Sequence, residues 1–167
     1  MKLFAYSLTA SLWAASLLAG PMALAQPASD DPTGPQPKLP TQPLQIKTAA
    51  GKVFNFTVEI PKTQQQQDTG EMFRTDIPAD SGMLFIWPQP QSTAMWMKNC
   101  PVPEDMVFIG ADGKIVSIAE MTVPYSLKPI APPEPVKAVL ELQGGLTAKD
   151  DINVGCLLYT SDAADEE

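Results

Sequence analysis

Asp105–Met121 reads DMVFIGADGKIVSIAEM. Two runs of β-branched and aromatic residues flank Asp112-Gly113, a dipeptide that suits a tight hairpin turn because Gly accepts a positive φ at no steric cost. One hairpin does not make a fold, but the same pattern recurs on either side. PLQIKT (Pro43–Thr48) and VFNFTVEI (Val53–Ile60) flank the turn AAGK, and Phe54, Phe56, Val58 and Ile60 alternate onto one face. GMLFIW (Gly82–Trp87) and AMWMKN (Ala94–Asn99) carry large apolar groups at alternate and intervening positions, which predicts strands buried on both sides. VKAVLEL (Val136–Leu142) predicts another strand.

Helix signals are few. Thr63 is a good N-cap ahead of four glutamines, with Gly70 placed to end the helix. Thr147–Asp151 suits one further turn, and Val123–Pro135 is a proline-braced loop. About seven short strands with one or two short helices predict an all-β fold, a compact single-domain β-sandwich or barrel.

The ends differ from this region. Met1-Lys2 precedes the uncharged apolar run Leu3–Gly20, and Ala23-Leu24-Ala25 supplies small residues at the spacing of a cleavage site. These features predict a secretory signal peptide over 1–25, removed after Ala25, with an uncleaved anchor as the alternative. Residues 26–43 hold six prolines in eighteen positions and predict a stiff extended linker. The domain is then expected over 44–155. Residues 156–167, CLLYTSDAADEE, resemble the in-frame translation of a sequencing-library adapter, which predicts a non-native tail and a domain truncated near Gly155. The expected location is the periplasm or the extracellular space, with no membrane span once the signal is cleaved.

Charge and composition exclude several chemistries. The chain has 19 acidic and 11 basic residues, net −8. Without Lys2 and the tail acids Asp162, Asp165, Glu166 and Glu167, 15 acids face 10 bases, net −5. The bases are scattered singly, so a nucleic-acid partner is not expected. With no histidine, Ser-His-Asp and Cys-His catalysis and most zinc sites are excluded. No phosphate-binding glycine loop is present, and neither a cofactor nor a metal is expected. Six methionines between Met72 and Met121 raise Cu(I) binding as a lesser alternative, although they are dispersed and methionine is an ordinary core filler. Cys100 reads as a buried thiol or, beside Lys98, an activated one.

The segments Gly70–Trp87, Met95–Glu120 and Pro135–Gly145 together resemble the family called domain of unknown function 192. Its members carry a GLMFR-like element, a GMLF strand, a WMKNT-IPLDM element and an FI…DG.I hairpin. The resemblance implies a compact β fold, often exported, and no assigned activity. Glu71 stands where the family has an apolar residue, and Cys100 where it has threonine. The family also expects another strand after the V-G-D turn.

Arg74, Trp96, Lys98, Asn99, Asp105 and Glu120 are the candidate binding or structural polar cluster. With Met95–Cys100 as a strand, Met95, Met97 and Asn99 share one face, while Trp96, Lys98 and Cys100 share the other. Lys98 and Asp105 are expected to converge beside Trp96. The resulting reading is a non-catalytic binding or accessory module of the cell envelope, its partner an envelope ligand or protein. The alternative is a histidine-independent, carbohydrate-active enzyme using Asp105 or Glu120.

Overall fold

The structure is a computed structural model that describes residues 31–160. The signal-peptide reading, residues 26–30 and residues 161–167 lie outside the described residues. Residues 32–160 belong to one compact unit.

Seven strands form one sheet. They are β1 (Thr41–Lys47), β2 (Val53–Glu59), β3 (Ser81–Gln91), β4 (Glu104–Ile109), β5 (Ile115–Ala119), β6 (Val136–Gln143) and β7 (Leu157–Thr160). The order across the sheet is β5-β4-β6-β3-β2-β1-β7. All pairs are antiparallel except β2–β3, which a crossover through a short helix makes parallel. The sheet's two ends meet. Lys114 bridges Leu157, and N–H groups of Ile115 and Leu158 donate to the carbonyls of Cys156 and Gly113. Of the two expected all-β forms, the sheet therefore takes the barrel-like one.

Alternation gives this sheet two cores. Phe56, Val58, Leu84, Val107, Ile109, Leu140 and Leu142 point inside the curl. Met83, Phe85, Met106, Phe108 and Val139 point out of it, and would lie in water but for a cover of irregular chain that adds Leu39, Met72, Met97 and Cys100. Burial on both faces explains why β4 reads as a continuous apolar run after its first two residues: all six of its side chains are buried.

The crossover helix α1 (Gln64–Thr69) starts as its sequence predicts. Thr63 accepts from the Gln66 N–H and the Gln66 side chain accepts from the Thr63 N–H, a reciprocal capping box, and Gly70 ends it at φ 48°. The second helix, α2 (Leu146–Lys149), is a single turn.

Three expectations need correction. Ala94–Asn99 is not a strand: Met95 makes one bridge to Ile130, and Asn99 turns at φ 57°. That turn breaks the alternation, so Cys100 rotates inward with Met97 instead of outward with Trp96. The proline-rich segment is no free tether from Gln36 onward. Gln36 donates to the carbonyls of Gln66 and Gly70, Leu39 is buried, and β1 begins at Thr41. Finally, the domain does not end at Gly155. Cys156 is buried in the inner core, Leu158 packs against it, and β7 supplies the edge strand expected to be lacking. Both cysteines are free and sit in different cores.

Gly82 shows how tightly β3 meets β6: a Cβ there would run into the Glu141 carbonyl oxygen and press on Leu142. Gly82→Ala is expected to destabilise the fold by about 2 kcal/mol or more. Gly34→Ala, with open space around it, should leave the thermal midpoint unchanged. Thermal melts of the two variants check this.

Candidate functional site: a buried carboxyl cluster and an exposed apolar strip

Glu104 and Asp105 are adjacent on β4, so their side chains leave opposite faces of the sheet. Asp105 points to the inner side. Its Oδ1 accepts from the N–H groups of Met121 and Gly145 at 2.8 Å each, and its Oδ2 from the Thr147 N–H at 2.9 Å and the Thr147 hydroxyl at 2.6 Å. The carboxylate is thus fully used in tying β4 to the start of α2 and to the loop after β5. The expected convergence with Lys98 does not occur. Lys98 lies on the outer side, its Nζ 5.3 Å from the Trp96 ring centroid.

Glu104 points outward into a cluster that sequence reading missed. Glu59 from β2, Glu71 and Arg74 from the segment after α1, and Glu141 from β6 all lie on this side. Of the six candidates, Arg74 alone belongs to it. Its guanidinium grips Glu59 with two hydrogen bonds, 2.7 and 2.9 Å, and its Nε lies 3.0 Å from Glu71 Oε2. That last contact is an ion pair without hydrogen-bond alignment, since Glu71 Oε2 lacks a donor. Burial opposes the charge on Glu59, but Arg74 and the Leu39 N–H outweigh it and hold its carboxyl below the ordinary value.

The other three acids lack such compensation. Both oxygens of Glu104 and Oε2 of Glu141 are buried without a hydrogen-bond partner. Cys100 lies beside Glu104, but its single thiol hydrogen also has the Lys98 carbonyl at 3.5 Å, and aimed there it leaves Glu104 without a donor. Burial pushes Glu71 up to about 7, with Arg74 opposing. Burial, then the charge of Glu71, pushes Glu104 up to about 8. Glu141 is raised well above the usual range by burial and then by Glu104 and Glu71. Burial also pushes the Cys100 thiol up, with Glu104 and Glu141 adding to it, so the thiol is inert at neutral pH. Glu59, Glu71 and Arg74 border a cavity of about 400 Å³, which Lys38 and Asp76 also line. Among the described residues no group of three or more Cys, Asp or Glu is arranged to hold a metal ion. Met72, Met83, Met97 and Met106 do gather, as filling of the outer core.

The remaining candidates lie elsewhere. Glu120 is exposed at the end of β5. Asn99 accepts the Phe73 N–H on its carbonyl at 2.7 Å, pinning the two turns together. Trp96 is 47% exposed. Beside it runs the loop after β5, joined by Met95 and Ile130 exchanging N–H···O bonds of 2.8 Å, Met97 N–H to Ser126 and Tyr125 N–H to Cys100. Along this loop Met121, Val123, Tyr125 and Leu127 are exposed, while Thr122 is buried and bonded to the backbone of Glu104. Period-two alternation was present in MTVPYSL, but the prolines around it read as plain loop.

The profile of DUF192, described as Uncharacterized ACR, matches residues 45–159. The chain belongs to this family. A crystal structure named as a candidate transcription regulator from Sinorhizobium meliloti 1021 aligns at TM-score 0.72 and 35% identity, covering 75% of this chain and 98% of its own. A protein of unknown function from Novosphingobium aromaticivorans DSM 12444 aligns at TM-score 0.69 and 34% identity, covering 72% and 86%. No curated protein matches the chain. The DUF192 match extends to residue 159, so it includes most of β7.

The two carboxyl groups of β4 lead to opposite expectations. Asp105→Ala strands three N–H groups and a hydroxyl and should cost about 3 kcal/mol or more in denaturant unfolding. Glu71, Glu104 and Glu141 keep protons in the fold that the unfolded chain releases above about pH 4.5. Stability should therefore be highest near pH 5 and fall as pH rises toward 8, by about 1.4 kcal/mol per pH unit for each retained proton. Glu104→Gln should flatten that slope in melts across the same window.

Proposed function

We propose that this DUF192 protein is an exported, non-catalytic binding module of the cell envelope. Its binding face is the strip formed by residues 95–100 and 121–130. The observation that carries this reading is the outward alternation of Met121, Val123, Tyr125 and Leu127 beside Trp96, on chain that is firmly anchored from beneath. Exposed apolar groups scattered singly need no explanation, but contiguous ones on an ordered surface mark interaction sites. Met121 and Tyr125 hold positive φ, 48° and 60°, a conformation costly for residues with a Cβ and maintained here by the Asp105 and Cys100 contacts. The apolar leader and its cleavage-like site support export.

An enzymatic reading has one observation in its favour, the raised carboxyl of Glu71 on the 400 Å³ cavity. It would not use Asp105, whose oxygens are fully engaged, nor Glu120, which stands in solvent. Transcription regulation, in the name of the Sinorhizobium neighbour, draws no support from a chain of net −8.

Expression of the full chain in a Gram-negative host, followed by fractionation and sedimentation with isolated envelopes, tests the module. Wild type is expected in the envelope fraction with its leader removed. Trp96→Ala should lower retention by about tenfold, a loss of about 1.4 kcal/mol, without shifting the melt. Equal retention of the two would sink the proposed face, and a cytoplasmic, unprocessed chain would sink export.

A further inference from the structure

The geometry points to Met121 as a site of reversible oxidation, where conversion of the thioether to a sulfoxide turns the head of the exposed strip from apolar to polar and weakens its hold on a partner. The oxidation follows from the structure alone, and the weakened hold rests on the binding-face reading above.

Six methionines lie between Met72 and Met121, and burial sorts them sharply. Met72, Met83, Met97 and Met106 fill the outer core, at most 4% exposed, and Met95 packs against them. Met121 is 56% exposed and belongs to neither core. Both cysteines are buried, so its thioether is the most accessible sulfur among the described residues. A dissolved oxidant must reach a sulfur lone pair, and exposure therefore ranks the sites.

Neither the fold nor the backbone accounts for a thioether at this position. At φ 48° the backbone of residue 121 suits glycine or asparagine, and the tie that holds it there uses only the Met121 N–H, which donates to Asp105 Oδ1. The side chain is nevertheless placed. Its Sδ lies over Gly145, 3.3 Å from where a Cβ on that residue would stand, and the Gly145 N–H donates to the same Asp105 oxygen. The sulfur thus rests on anchored backbone at the surface, where gaining an oxygen disturbs no core contact.

With hydrogen peroxide as oxidant, a sulfur lone pair attacks one peroxide oxygen and the O–O bond breaks. The departing hydroxide takes the proton from the transferred oxygen and leaves as water. Sulfur loses two electrons and keeps one oxygen, while the peroxide is reduced. A thiol-dependent sulfoxide reductase returns the thioether. The sulfoxide oxygen is a strong acceptor that holds water, so an apolar surface covering Met121 has to strip that water away. Val123, Tyr125 and Leu127 follow at alternate positions, which puts the change at the end of an apolar row.

Dilute hydrogen peroxide on the full chain, followed by peptide mass mapping, thermal melts and envelope sedimentation, tests this. Met121 is expected to gain oxygen about tenfold faster than Met72, Met83, Met97 and Met106, at an unchanged thermal midpoint. Oxidised wild type should lose envelope retention about fivefold, and methionine sulfoxide reductase should restore it. Met121→Gln should show the same loss without oxidant, while Met121→Leu should keep its retention through the treatment. Oxidation of the four buried methionines as fast as Met121 overturns the site. Unchanged retention of oxidised wild type overturns the switch. In that event the binding face stands if Trp96→Ala still lowers retention, and both readings fall if it does not.

Discussion

Burial of β4 on both faces is the constraint from which the rest follows. A strand covered on one side can put every polar residue into water; one covered on both cannot. Glu104 and Asp105 open this strand side by side, and the pleat sends one carboxyl to each core. On the inner side the chain supplies four donors to Asp105, and the charge is accommodated. On the outer side it supplies none to Glu104, and the carboxyl retains its proton instead. Two identical functional groups, adjacent in sequence, thus acquire opposite character from their surroundings alone.

The outer cluster extends the same logic. A single arginine cannot neutralise four buried acids, and Arg74 spends its fork on Glu59, the one acid whose carboxyl stays below its ordinary value. Glu71, paired only through Nε, is left intermediate, and Glu104 and Glu141 are left to protons. Glu71 and Cys100 both sit against Glu104 and Glu141.

Much of the architecture was legible because hairpins are local. The β1–β2 and β4–β5 turns, the capping box of α1 and the burial of residues 82–85 of β3 on both faces follow from near neighbours in sequence, although β3 is largely exposed from Ile86 onward. Two kinds of error had a common cause. Met95–Cys100 has strand composition, but Asn99 at positive φ, a possibility open to asparagine and invisible in alternation, turned Cys100 over. β7 was set aside because residues 156–167 resemble a translated sequencing adapter, yet its pairing with β1 depends on register and position, which that resemblance does not report. The acid cluster was illegible for a stronger reason. Glu59, Glu104 and Glu141 lie on three different strands and read locally as ordinary polar ends or wet faces. Only the strand order makes them neighbours, and that order is set by a crossover.

The carboxyl cluster and the exposed strip are not independent features, because they share the first two residues of β4. The Glu104 backbone holds Thr122 through its N–H and its carbonyl, while the Asp105 side chain holds the Met121 N–H. Met121 and Thr122 are where the apolar loop leaves the sheet, so the loop's position is fixed by the residue pair that also carries one acid to each core. A displacement of Glu104 large enough to bring its carboxylate to water would pull on the backbone that anchors the loop. The anchorage of the strip is therefore tied to the same pair of residues that places one carboxyl in each core.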